Sequence, residues 1–363
     1  MEYRMFDRRE LSITQGSPLR FRVVVTLLLG TLLLGFLFTL LKLNLFLPIL
    51  LSIVLMYVLE PAVTYLEWKG VSRTRSILLI YLCIIVVIVL SLRYLLPPLI
   101  TEFFTFQQKF PEYSKAAAEM FYHYSEKAVE RIPVLAAIDF SGTQQKINAK
   151  LRDFLIAIPF AMRSVISLLF LVPLITFFLL KDGRLIKRNL LNLVPNKYFE
   201  LIHFLLYKIN LQLAAFIRGR LVEAIIVGIV VSIGLVMVSP RYAILFGMLA
   251  GILNLIPFLG PVLGAIPPLV VASIEYQSVF HVLMVLLVIV VAQLIDNILV
   301  IPILIAKAAN LHPLIVLFAV LIGYQIFDIP GMIIGVPAVS VLKLAVQETY
   351  KELRRGPSIP QNV

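Results

Sequence analysis

Gln293, Asp296 and Asn297 stand at i, i+3 and i+4 within a long apolar stretch whose part before Asp296, 277–295, carries no charge. On a helix residues so spaced share one side. One carboxylate between two amides can hold a hydrated monovalent cation, a proton or the hydroxyls of a polyol. The other use of such a trio is to tie neighbouring helices together by hydrogen bonds. Further ionisable or polar groups interrupt apolar sequence elsewhere. Glu223 follows Arg218 by about one turn near the start of a helix, either as half of an ion pair at its end or as part of a pathway. Asp328 sits at a break before Pro330, where it either caps the next helix or acts as a gate. His312 precedes Pro313, in a turn role or as a proton relay, and Asn254 stands beside a proline-rich break as candidate cavity lining.

These residues need elements to position them, and composition says what kind. Of 363 residues, 61% are hydrophobic and only 14% charged, whereas soluble domains sit near half apolar and a quarter charged. The apolar residues gather in charge-free runs at 23–41, 76–92, 164–180, 224–240, 242–274, 277–295 and 308–327. A helix needs about 20 apolar residues to cross the hydrocarbon of a bilayer. The fold class expected is therefore all-α and polytopic in the membrane, with about eight transmembrane helices, some broken or re-entrant, and an external amphipathic helical insert. An ionisable group inside lipid is costly and marks a pathway more often than a structural whim.

The chain divides into seven parts. Residues 1–21 form a basic tail, on the cytoplasmic side because Lys and Arg gather there. The run at 23–41 reads as a retained first helix, not a signal peptide, since no small-residue cleavage site follows it. Helices 1–3 occupy 22–96, with Pro61 ending the second. Residues 97–161 are balanced in charge and carry apolar residues at helical spacing, from Tyr113 to Ala128 and from Ile147 to Ile158, which suits amphipathic helices lying on the membrane or on a partner subunit. A fourth helix spans 162–180, and a basic amphipathic segment covers 181–220, again cytoplasmic. The C-terminal transmembrane core covers 221–347, and 348–363 is a cytoplasmic tail.

Within that core, 257–268 carries four prolines and two glycines. A straight helix does not accommodate this run, because proline lacks a donor and clashes with the preceding turn. Broken backbone at membrane depth survives where protein buries it or where it lines a wet cavity. The stretch 246–251, followed by Gly260, Gly264 and Pro267, echoes 318–323, followed by Gly331, Gly335 and Pro337. This is either an inverted repeat of discontinuous helices or the small-residue spacing that lets helices pack closely. Pro257, Gly260, Gly264, Pro267, Gly331, Gly335 and Pro337 are thus candidate hinge or close-packing positions.

Several classes are set aside. The net charge of +12 comes without an aromatic-basic surface segment, so nucleic acid is not an expected partner. There is no phosphate-cradling glycine loop, no zinc-type His-Glu-x2-His and no nucleophile elbow. Neither an enzyme, a metal site nor a cofactor is expected. The single cysteine, Cys83, permits no intrachain disulfide. The expected partners are the bilayer itself and a small polar solute, or a monovalent cation and a proton. A membrane scaffold that transports nothing is the reading from a different class; it would tolerate an apolar face at 293–297.

The proline-rich run from Pro257 to Pro268 resembles the signature loop of the autoinducer-2 exporter (AI-2E) family of bacterial inner-membrane proteins. So does the order of Gln293-Leu-Ile-Asp-Asn297, Pro302 and Leu311-His312-Pro313, and the earlier Phe178-Leu-Leu-Lys-Asp-Gly183 and Arg218-Gly219. Arg220 stands where the family often has Gln, Ala306 where Gly is usual, and Asp296 where Glu is common. The resemblance implies export of a small signalling molecule, autoinducer-2, in some members and sodium(lithium)/proton antiport in others. It also implies a homo-oligomer, a pentamer, in the bacterial inner membrane with both termini cytoplasmic. In the mechanism these residues suggest, Asp296 changes its proton or cation occupancy as the broken segments 257–268 and 328–337 shift. Gln293, Asn297 and Asn254 would coordinate the solute.

Overall fold

The computed structural model describes residues 45–131, 168–238, 241–304 and 311–355. The expected helix at 22–41, the run from Ile147 to Ile158 and the N-terminal tail lie outside them. The chain separates into two compact units, 1–51 and 52–363. The described part of the first is 45–51, which opens helix α1; the packing below belongs to the second.

Every regular element among the described residues is helical. Helix α1 is Phe46–Trp68, α2 Arg73–Tyr94 and α3 Leu96–Arg131. Helix α4 runs over 168–192. Helix α5 is Asn196–Val238, α6 Ala243–Leu253 and α7 Leu259–Tyr276. Helix α8 is Val279–Ile295, prolonged through a π turn, Asp296–Val300, into Ile301–Leu304. Helix α9, Pro313–Arg355, folds back on itself where Phe327 and Asp328 leave helical geometry. Among the described residues six stretches are long and apolar enough to cross a membrane: Phe46–Trp68, Arg73–Tyr94, Phe199–Val238, Leu259–Tyr276, Val279–Ile303 and Pro313–Lys351. Their outward faces are apolar, as lipid demands. On α2, Leu82, Ile85, Val86, Val87 and Val89 are all more than half exposed, an arrangement that in water would invite aggregation.

Prolines break these helices less than their sequence positions imply. Pro61 lies inside α1, which continues to Trp68 instead of ending there. A proline at 61 leaves the carbonyl of residue 57 without its helical donor. That carbonyl is taken up by Arg218, whose Nη1 donates to the Tyr57 oxygen at 3.4 Å. In the 257–268 run the non-helical backbone shrinks to the few residues between α6 and α7. Pro261 falls in the first turn of α7, where no donor is required, while Pro267 and Pro268 lie within the helix. Nor is there a break near 220: α5 is one helix of 43 residues, because Gly219 alone, at about 1 kcal/mol, does not stop a helix.

Without a hydrophobic force between helices in lipid, small residues and polar links hold the bundle. Helices α5 and α6 form an antiparallel pair seamed by Gly228, Gly247 and Gly251; a Cβ on Gly247 would come within 2.8 Å of the Gly228 oxygen. The α6–α7 hairpin closes in the same way. A Cβ on Gly260 would run into the Leu253 carbonyl, and one on Gly264 would lie 3.1 Å from the Ala250 Cα. The two arms of α9 meet at Gly323 against Gly331 and at Ala319 against Gly335, each glycine facing backbone. At 11 residues, α6 is about 16 Å long. That is half of the roughly 30 Å hydrocarbon depth, so α6 is too short to cross it by itself.

Two further links complete the frame. Helices α1, α2 and α4 share a core of Leu59, Val63, Ile77 and Leu180. The buried Thr176 hydroxyl joins α4 to α1 by donating to the Ser52 carbonyl at 3.2 Å. Glu67 gathers Arg73 at 3.0 Å and Arg184 at 2.7 Å at one end of this group. Helix α3 uses Phe106 and Tyr113 to pack on Tyr242 and Phe246 of the same chain. Its Glu102 accepts the backbone N–H of Leu245 at 3.2 Å, satisfying a first-turn donor of α6. Tyr113 donates to Glu275 at 2.6 Å. Burial, then this bond, pushes the phenol above its ordinary value.

Candidate functional site

The α6–α7 break delivers Asn254 to the interior. Its backbone still bonds helically to Ala250, so the side chain continues the buried side of α6. The glycine seam between α5 and α6 brings it against Glu223 of α5. From the opposite side α8 presents Asp296, at the first residue of the π turn, where the Ile301 N–H reaches back five residues to the Asp296 carbonyl. Pro302 follows directly. A proline ring there would collide with the carbonyl of residue 298 in a regular helix, and a widened turn relieves the clash. Such π turns concentrate at functional sites.

The three side chains are exposed by only 1% (Glu223), 3% (Asn254) and 2% (Asp296). One amide joins both acids: the Asn254 Nδ2 donates to Glu223 Oε1 at 3.3 Å and to Asp296 Oδ2 at 3.5 Å. Gln293 donates to the same Asp296 oxygen at 3.3 Å. Arg220, one turn before Glu223, closes an ion pair with it at 2.6 Å. Its guanidinium lies 5.9 Å from the centre of the Phe216 ring. Glu223 Oε2, Asp296 Oδ1 and Arg220 Nε are buried without a hydrogen-bond partner among the described residues. Unpaired carboxylate oxygens in a dry interior are expensive. These two are free to accept from a proton, a monovalent cation or a solute hydroxyl or amine.

The structure thus unites Glu223, Asn254, Gln293 and Asp296 from three elements and leaves other expected residues apart. Asn297 is exposed; it stands about 100° round the helix from Asp296, and the buried cluster uses the Gln293–Asp296 edge. Arg218 is not the partner of Glu223. It serves the Tyr57 carbonyl, and the pair is made by Arg220. The i, i+3 spacing of Arg220 and Glu223 was the signal available for that residue. His312 holds the start of α9, its Nδ1 accepting the Leu314 N–H at 3.3 Å. Asp328 is exposed at the fold of α9, with φ 51° and ψ −138°, a region that favours glycine. None of these four bonds to the cluster.

A bundle of membrane-crossing helices with paired ionisable groups sealed inside it, at a helix break and a widened turn, defines a polytopic helical membrane protein built around an internal polar site. The chain belongs to the AI-2E family of transporters, whose description matches residues 26–351. Two Bacillus subtilis proteins provisionally named as transport proteins are similar along most of their length. YrrI is 27% identical over 315 residues, covering 83% of this chain and 85% of its own. YueF is 29% identical over 311 residues, covering 83% of each. PerM of Escherichia coli, provisionally named a permease, is 26% identical over 178 residues, about half of each chain. The family is one of membrane transporters and not an enzyme class.

Proposed function

We propose that this chain is a secondary transporter that moves a small polar solute, and that Glu223, Asn254 and Asp296 form the site where solute movement is coupled to a proton or monovalent cation. One observation carries the reading: two buried carboxylates from different helices share a single amide at a helix break. Because Asn254 belongs to the α6–α7 turn, any shift of that turn changes its hold on both acids together. Loading Asp296 with a proton or cation would weaken its pull on the amide. The turn and the fold of α9 would then be free to rearrange, with Gly260, Gly264, Gly331 and Gly335 as the points of close contact. Arg220 pairs with Glu223 and holds it in place, and Gln293 orients Asp296.

In this reading the start of the basic segment at 181 and both termini face the cytoplasm of a bacterial inner membrane, α5 carrying Arg218 and Arg220 into the bundle, and the working unit is a homo-oligomer. Autoinducer-2, a polyhydroxylated solute, is the substrate that the family name brings forward. Exchange of sodium or lithium for protons is the second reading, favoured by the unpartnered carboxylate oxygens. The test is lumenal pH in proteoliposomes holding an imposed proton gradient, with solute, sodium or lithium added, for wild type and Asp296→Asn. The expected result is that one of these additions dissipates the gradient in wild type and not in the variant. Wild-type flux in correctly inserted Asp296→Asn would refute the role given to the acid. Dissipation by sodium or lithium alone would make the protein an antiporter.

A further inference from the structure

Helix α4 carries an exposed stripe that changes character along its length. Phe170, Leu174 and Phe178 recur every fourth residue and are 70%, 42% and 50% exposed. Lys181, Leu185 and Arg188 continue the same side of the helix in steps of three and four, and all three are exposed. Arg184 stands about 40° and Lys187 about 100° round the helix from Arg188. Arg184 ties this stretch to α1 by reaching Glu67 at 2.7 Å. The next residue, Trp68, ends the membrane-crossing segment Phe46–Trp68 and is 85% exposed. A tryptophan so placed sits at the headgroup level of a bilayer. The charges near it are unbalanced. Glu67 is shared between Arg73 and Arg184. Lys181 lies 6.0 Å from the centre of the Phe177 ring, a contact that leaves its charge in place. Lys187 and Arg188 make no hydrogen bond or ion pair among the described residues. Asp182, the acid within this stretch, is about 160° round the helix from Arg184.

We propose that this side of α4 is a binding site for an anionic phospholipid, with Lys181, Lys187 and Arg188 taking the headgroup and the stripe of Phe170, Leu174 and Phe178 taking an acyl chain. The order of the residues fits such a molecule: hydrocarbon contacts come first along the helix, and cations follow where the apolar run stops. A free anion would leave the apolar stripe unused, and a zwitterionic lipid would leave the excess cations uncompensated. Basic side chains beside a membrane-crossing helix draw anionic lipid in this way, and their long stems let the charge stay at the headgroup level. The site depends on the chain lying in a bilayer and not on what it transports.

The experiment uses Trp68, the one tryptophan of the chain, as the reporter. The full-length protein is reconstituted in vesicles of phosphatidylcholine with brominated acyl chains, and unbrominated phosphatidylglycerol is added in steps. Bromine quenches a tryptophan that it touches, so the fluorescence recovers as the anionic lipid takes the places beside Trp68. Recovery should be half complete at a mole fraction of about 0.17 or below, the roughly fivefold preference that one basic side chain confers near a membrane surface. In Lys181→Gln/Lys187→Gln/Arg188→Gln the half-point should move to about 0.5, where neither lipid is preferred. Arg184 is kept because it ties α4 to α1. Arg188→Gln alone, which has no protein partner to lose, should move the half-point partway. A wild-type half-point near about 0.5 overturns the site, and so does a preference that both variants keep undiminished.

Discussion

Replacing Glu223 by glutamine removes one charge from the cluster and little else. The amide keeps the length of the side chain and an acceptor for both Arg220 and Asn254. Its effect on a cation or proton held at Asp296 follows from distance. Asn254 Nδ2 is 3.3 Å from Glu223 Oε1 and 3.5 Å from Asp296 Oδ2, so those oxygens are at most about 6.8 Å apart. Two unit charges at that distance, at an effective dielectric of about 20, interact by about 2.4 kcal/mol. A cation at Asp296 therefore draws roughly that much from Glu223, which is about 50-fold in affinity. Glu223→Gln should raise the half-saturating concentration of the coupling cation about 50-fold, with the protein still eluting as wild type from detergent. The assay is initial flux in proteoliposomes as a function of cation concentration at fixed solute. An unchanged half-saturation with intact maximal rate would refute the coupling of the two acids.

Three further outcomes test the frame that positions the site. Arg218→Met should cost about 1 kcal/mol, since it strips the bond from the carbonyl that Pro61 leaves without a helical donor. In a Pro61→Ala background, where the N–H returns, most of that cost should vanish, and additive unfolding midpoints would show that Arg218 has some other role. Gly331→Ala sets a Cβ against the Gly323 backbone and should destabilise by about 1–3 kcal/mol. Gly183→Ala meets nothing within 4 Å and should stabilise by roughly 0.5–1 kcal/mol in the same detergent unfolding series.

The membrane class and most of the helices are legible in the sequence because both rest on composition over long windows. An apolar run near 20 residues has few soluble alternatives, and the described helices cover most of the expected ones. Asp296, Gln293, Asn254 and Glu223 stood out for a related reason, as polar side chains in apolar surroundings. Helix ends are less legible. Pro61 and Pro267 look like breakers, yet each lies within a helix, since a proline's lost bond can be made good elsewhere, at 57 by a guanidinium more than 150 residues further along the chain.

What the sequence by itself determined is which residues cannot be comfortable in lipid and that glycines recur where helices must come close. Which of those residues meet was decided only by tertiary structure. Gln293, Asp296 and Asn297 have the same claim to one helical side, but the direction in which α5 and the α6–α7 turn approach α8 selects the first two and leaves Asn297 outside. Arg218 and Arg220 are equally basic and two residues apart, and their rotation about α5 sends one to the Tyr57 carbonyl and the other to Glu223. Helical periodicity places a side chain on its own helix. The partner it finds depends on how the helices pack, and that depends on contacts between residues far apart in the chain.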